Sequence, residues 1–378
     1  MGTDCSDRTP IAWFPADLSP EGADSDLYGY FQSETGHYVV LGTTTDQKGS
    51  RNLSRGAGIP PLRAIHSDQG WTFTAAEQPC IARPYGLETD LFSRHAGLLE
   101  STAMAHCGVI VCGCGSVGSL AALDLARSGV GRFLLIDDDL LSIENLCRHQ
   151  CGMADVGRFK AQAVADRIRL INPLADVQVH STTLERLDPA VVEAFATAQN
   201  QQGERLPTLL LAAADSRRAD RYGARLAAQL QLAFLSIGLW ERAFAGELFY
   251  WHPDTPMPCY GCAFEGLGNE VSHRAEAKRR FYSNERELAA LDFQPGIAID
   301  IAYVVQVGLK LAIDLLNRHN ARHVPRLLGH LSQYTLVCNS NDQLLGGEAA
   351  EIFSHPLQVT TSVQVSSRQD CSACGWSP

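Results

Sequence analysis

The run GlyCysGlySerValGly at residues 113–118 constrains this chain more than any other feature. It follows a continuous apolar stretch, Gly108 to Val111, that reads as a buried strand. It precedes a helical pattern, Leu120 to Ser128, closed by Gly129 at the C-cap. A second apolar strand, Arg132 to Ile136, then runs into AspAspAsp at 137–139. Strand, glycine loop, helix and strand together open a doubly wound α/β fold. Gly113 permits the tight turn, Gly115 lets a phosphate approach the backbone, and Gly118 permits close packing of helix on strand. The helix N-terminus offers N–H groups to an anion, and Asp137 is placed to accept ribose hydroxyls. To this point ATP and a nicotinamide or flavin dinucleotide fit equally well.

The alternation continues downstream. Helices are predicted over Lys160–Leu170, Pro189–Gln199, Ala219–Leu230 and Ile297–Leu316, the last weakened in its middle by Gly308. Strands are predicted over Asp176–His180, Thr208–Ala214 and Phe234–Gly238, with Ala243–Trp251 as strand or hairpin and a strand-like tail at Gln358–Val365. Residues 1–87 read as an N-terminal extension with a β-like piece at Tyr38–Leu41, either a small appended module or an irregular arm, and residues 88–378 as the main domain.

The residues after the acidic run separate ATP from NAD. AsnLeuCysArgHis occupies 145–149, and GlyArgPheLys brings Lys160 to the start of a helix. A hydride-transfer site has no need of an Asn, an Arg and a Lys gathered there. Adenylation does, because charge builds on the pentacoordinate α-phosphorus and on the leaving pyrophosphate, and cationic donors stabilise it. Asp215, at a strand's carboxyl end, stands where it could hold Mg2+ against a triphosphate. Each residue has a plainer alternative when taken singly: Arg148 as a surface ion pair, Lys160 as a solvated helix residue, Asp215 as a helix N-cap.

This set of motifs, in this order and spacing over roughly residues 88–320, resembles the ThiF/MoeB/E1 (ubiquitin-activating) superfamily. The resemblance implies a Rossmann-like, mostly parallel sheet with the adenylation fold of that family. It also implies that Asp137, the first acid of a DxD pair completed by Asp139, binds ribose. Asn145, Arg148 and Lys160 would contact phosphates, and Asp215 would support Mg-ATP. Arg94, in PheSerArgHis at 92–95, is similar to the family arginine that reaches the triphosphate of the other subunit, which implies a homodimer. His149 stands where the family has Gln, and Ser216 where it has Asn; both keep hydrogen-bonding capacity. The implied reaction is ATP-dependent adenylation of the C-terminal carboxylate of a ubiquitin-like or sulfur-carrier protein ending in Gly-Gly, with an E2-like protein as a further partner. A small peptide substrate and a non-catalytic scaffold subunit are the alternatives.

Two CxxC pairs, Cys259/Cys262 and Cys371/Cys374, offer four thiolates. Two such turns complete a tetrahedron for Zn2+ with no open position, so the metal would be structural; redox chemistry by one pair is the rival reading. The resemblance strengthens zinc, since ProCysTyrGlyCys at 258–262 sits like the first zinc pair of the family. The stretch Ala263–Gly296, where relatives with a thioester step carry their nucleophile, contains no cysteine. Either no covalent step occurs, or Cys338, Cys147, Cys151 or a cysteine of the N-terminal arm supplies it.

Composition sets the outer bounds. A formal net charge of −11 argues against a nucleic-acid binder, which needs concentrated positive charge, and the one basic cluster, Arg274 to Arg280, reads as a solvated helix face. The start of the chain lacks the apolar core of a signal peptide, and no apolar run reaches membrane-spanning length without a charge. A cytoplasmic protein is the expectation.

Overall fold

The structure, a computed structural model, describes residues 9–19, 26–43, 50–266, 295–371 and 373–374. The basic cluster at 274–280 and most of the cysteine-free stretch at 263–296 lie outside the described residues. The chain divides into two compact units, Met1–Arg94 and His95–Pro378.

The first unit is a β-sheet module. Strands β1 (Ile11–Pro15), β2 (Tyr28–Gln32), β3 (His37–Gly42), β4 (Arg51–Asn52), β5 (Leu62–Ser67), β6 (Gly70–Ala75) and β7 (Gln78–Tyr85) form one sheet in the order β4-β2-β3-β1-β7-β6-β5. β1 runs parallel to both β3 and β7, and the remaining neighbours are antiparallel. Residues two apart share a strand face, and the inner faces here carry Ala12 and Phe14, Tyr38 and Val40, Leu62 and Ala64, and Phe73 and Ala75, all buried in one core. The Tyr38 hydroxyl is satisfied by donating to the Pro60 carbonyl at 2.8 Å. A short helix, α1 (Leu87–Asp90), follows β7.

The second unit opens with α2 (Ser101–His106) and is built on an eight-stranded sheet. Its strands are β8 (Gly108–Cys112), β9 (Arg132–Ile136), β10 (Asp176–His180), β11 (Thr208–Ala212), β12 (Ala233–Leu239), β13 (Ala245–Trp251), β14 (Tyr334–Cys338) and β15 (Val359–Val363), in the order β10-β9-β8-β11-β12-β13-β14-β15. β8 to β12 are parallel and β13 to β15 add antiparallel pairs at one side. Strands β8 and β11 are buried at every position, as a parallel sheet covered on both faces requires. Alternate residues serve the two faces. Val109, Val111, Leu209 and Leu211 pack with α3 (Ser116–Arg127) and α4 (Lys160–Ile171), together with the long helix Ala298–Leu316. Ile110, Leu134, Leu210 and Phe234 pack with α5 (Pro189–Ala196), α6 (Arg217–Gln229) and α7 (Tyr260–Gly266). The long helix, here α8, runs unbroken through Gly308. Among the described residues no helix is long and apolar enough to cross a membrane.

The predicted boundaries shift in two informative places. α3 begins at Ser116, not Leu120, so the second half of the glycine motif is already helix. The predicted strand to Ala214 ends at Ala212, which frees Ala213 to Ser216 to turn across the sheet edge. Gly118 explains the first shift. A Cβ placed on it would meet the Gly113 carbonyl oxygen at 1.8 Å, and Gly113 itself has a φ of 91°. The first turn of α3 therefore lies directly on the end of β8. We predict that Gly118→Ala costs about 3 kcal/mol of stability in chemical denaturation, because a backbone atom has no rotamer to yield. Gly115→Ala, whose Cβ would meet nothing within 4 Å, should cost under about 1 kcal/mol.

Candidate functional site

Register places the site. Cys112 pairs with Ile136 on one side and Ala212 on the other, so β8, β9 and β11 end level. The chain leaves β8 to one side through β9 and to the other through β11, which makes this edge a switch point where open α/β sheets bind ligands. A cleft of about 410 Å3 opens there, lined by Gly113, Gly115, Asp137, Asp139, Asn145, Arg148, Lys160 and Asp215 among others. Eight of the nine cofactor and phosphate positions expected from the sequence thus share one cavity. The ninth, Gly118, lies under the loop in the contact described above. Arg94 is not part of this lining; it is exposed in the turn Ser93–His95.

Each side chain is held by identifiable neighbours. Asp137 accepts the Cys114 N–H at 2.6 Å on one oxygen and the Asp139 N–H at 2.9 Å on the other. Burial pushes its pKa up, while those two N–H bonds and nearby Lys160 oppose the rise. One N–H per oxygen leaves a lone pair on each for a ligand hydroxyl. Asn145 ends a 3-10 turn, Ile143–Asn145, and its amide oxygen takes the Ser142 N–H at 3.1 Å. What Asn145 can offer a ligand is therefore its NH2 group, a donor suited to a phosphate oxygen. Lys160 begins α4 with its side chain 12% exposed and its Nζ 2.7 Å from Asp139 Oδ2. A solvated helix lysine would not be so enclosed.

At the far wall, the N-cap of α6 is Ser216, whose hydroxyl accepts the Ala219 N–H at 3.3 Å. Capping is not the task of Asp215, which is exposed on the cleft's rim. Sequence reasoning missed the hairpin turn between β12 and β13, where Trp240, Glu241 and Ala243 line the same cleft. Arg242 and Ala243 both sit at φ 53°, a strained conformation for non-glycine residues. The only signal was GluArg set between two apolar runs. Thr182 to Glu185, after β10, also line the cleft and carried no motif.

The cysteines sort by burial. Cys338 and Cys151 are buried, and desolvation pushes both thiols up to about 11. A nucleophile must ionise, so neither environment suits one. Cys147 is exposed and its thiol donates to the Glu144 carbonyl at 3.3 Å.

The four CxxC sulfurs converge. Cys259 Sγ lies 3.7 Å from Cys262 Sγ and 3.6 Å from Cys371 Sγ, and Cys262 Sγ lies 3.8 Å from Cys374 Sγ. A tetrahedral zinc with bonds of about 2.3 Å spaces its sulfurs about 3.8 Å apart, so the residues present fit the ion. Residues from the two pairs stand within reach of one another in one group.

The comparisons with known proteins agree with this geometry. The model of the ThiF family matches residues 90–339. The chain belongs to the ThiF family. Among curated proteins it is 38% identical over 103 residues to the probable adenylyltransferase/sulfurtransferase MoeZ of Mycobacterium tuberculosis, covering 26% of each chain. It is 29% identical over 209 residues to ubiquitin-like modifier-activating enzyme 5 of Drosophila willistoni, covering 54% of this chain and 49% of that one. The chain thus matches about half or less of the length of these relatives. Among solved structures, Escherichia coli MccB shares the fold with a TM-score of 0.50 at 16% identity, over 73% of this chain and 68% of that one.

Replacing Cys371 and Cys374 with Ser in this ThiF-family chain should lower zinc content from about one ion per chain toward zero and lower the thermal midpoint together. Metal analysis showing unchanged zinc would overturn the metal reading.

Proposed function

We propose that this ThiF-family chain adenylates a carboxylate with ATP, and that the acceptor is the C-terminus of a ubiquitin-like or sulfur-carrier protein. The observation that carries the reading is the gathering of Asn145, Arg148, Lys160 and Asp215 about the start of α3, with Asp137 beside them. In this reading the triphosphate lies over the N-terminus of α3 and Asp137 takes the ribose. The acceptor carboxylate attacks the α-phosphorus, pyrophosphate leaves, and an acyl-adenylate remains. Arg148, Lys160 and the Asn145 NH2 group oppose the charge that grows on phosphorus and on the leaving group, where fixed donors in an enclosed site act most strongly. Asp215 would hold Mg2+, which neutralises triphosphate charge when bound.

The names of the relatives support the choice of acceptor, since one is a ubiquitin-like modifier-activating enzyme and another an adenylyltransferase/sulfurtransferase. Arg94 would act in the cleft of a second copy within a homodimer. We assign residues 1–87 to an appended module and 88–378 to the adenylation domain, with the tail closed by zinc. An E2-like protein is a further partner under this reading. A second reading keeps the chemistry and replaces the acceptor by a short peptide. The separate β-sheet unit at the N-terminus favours it, as a surface that could hold an extended chain.

ATP–pyrophosphate exchange decides between them. We expect exchange that requires a Gly-Gly-ending β-grasp protein and falls about 100- to 1000-fold in Arg148→Ala. Exchange supported only by a short peptide would replace the acceptor. Absence of exchange with either, in protein that still binds ATP, would overturn the adenylation reading.

A further inference from the structure

One buried, titratable side chain in the cleft wall has no part in the chemistry above. His149 is 7% exposed and follows Arg148 directly. Its Nε2 lies 2.8 Å from the Cys114 carbonyl oxygen, and its Nδ1 lies 3.0 Å from the Cys151 backbone nitrogen. A carbonyl can only accept and an amide N–H can only donate, so Nε2 carries the proton and Nδ1 is bare. The ring is therefore neutral and satisfied at both ends. Burial pushes its pKa down; the bond to the Cys114 carbonyl opposes this, nearby Lys160 reinforces it, and Asp155 opposes it.

The two bonds tie together parts far apart in sequence. Cys114, in the glycine loop, is gripped from both sides: Asp137 takes its N–H and His149 meets its carbonyl. On the other side, the backbone N–H groups of Arg148 and His149 both donate to the Asn145 carbonyl, at 3.0 and 2.8 Å. Where the ring sits, the Asn145–Arg148 turn must sit as well.

We propose that His149 is a positioning residue that latches the Asn145–Arg148 turn to the glycine loop, so that Arg148 meets the triphosphate. It acts through Arg148 and makes no contact with the reacting atoms. The role assigned to Arg148 rests on the adenylation reading; the latch itself rests on the two hydrogen bonds. Glutamine would reproduce both, its NH2 donating to Cys114 and its carbonyl accepting from Cys151. Leucine fills similar space and makes neither.

The test is a double-mutant cycle read by calorimetric binding of α,β-methylene ATP to the full chain, with exchange rates measured alongside. His149→Gln should bind within about threefold of wild type, and His149→Leu should bind about tenfold or more weakly. In an Arg148→Ala background the leucine substitution should weaken binding by less than about threefold, because the residue it acts through is gone. Nitrogen NMR of the wild type should show His149 as the neutral Nε2–H tautomer near about pH 6.5, where a free ring is half charged. An undiminished leucine effect in the Arg148→Ala background, failure of glutamine to rescue, or the opposite tautomer would each overturn the proposal. If His149→Leu does not fold, the glutamine and NMR arms still decide. Loss of exchange with intact analogue binding in the wild type would remove the adenylation reading alone and leave the cycle interpretable.

Discussion

The missing Cβ at position 118 is the constraint on which the second unit depends. It lets the first turn of α3 rest on the carbonyl of Gly113, which brings the helix's unpaired N–H groups to the level at which β8, β9 and β11 end. From there the Cys114 N–H reaches Asp137, and the Cys114 carbonyl meets His149. The glycine loop is thus less a flexible cradle than a hub, fixed by short polar bonds to the two segments that supply the acidic and the cationic sides of the cleft. The level strand ends then set Asp215 opposite.

The second unit was legible where burial is two-sided. β8, β9, β11 and β12 carry mostly apolar runs, broken inside only at Ser236 of β12, because helices cover both faces of the sheet. β14 escaped notice: Tyr334–Cys338 is a five-residue run with no glycine or proline to mark its ends, and its partners β13 and β15 are distant in sequence. The first unit was legible only at Tyr38–Leu41, which lies within β3, and the rest escaped for a related reason. Its buried positions alternate with more exposed ones over short strands, and β4 and β7 place no fully buried residue in the core, so the pattern is short and broken by polar stretches.

The site was legible as a list and not as a mechanism. Spacing named Asp137 and Asp215 after strands, Asn145 and Arg148 between β9 and α4, and Lys160 at a helix start. It could not show that the Asn145 oxygen is already committed to Ser142, that Lys160 leans on Asp139, or that Ser216 relieves Asp215 of capping. Two of those pairings join side chain to backbone and one joins two side chains, and the geometry of each exists only after folding. The turn at Trp240–Ala243 was invisible for the same reason, as its strain is a property of dihedral angles rather than of residue type.

The zinc-spaced cysteines have a topological consequence. Cys259 and Cys371 lie 112 residues apart, as do Cys262 and Cys374. With a metal between them, the chain from one pair to the other becomes a closed ring that contains α8, β14 and β15. Closing a ring of that size removes unfolded-state entropy worth on the order of 4–5 kcal/mol if a metal clip behaves as a covalent link does. The gain falls on the antiparallel side of the sheet, where strands are joined through long connections and have least local help. The same clip holds α7, whose Tyr260 hydroxyl donates to Asp220 on α6, the helix that starts beside Asp215. A metal held by cysteines outside the cleft lining would therefore act as the clasp of a hoop that steadies one wall of the cleft.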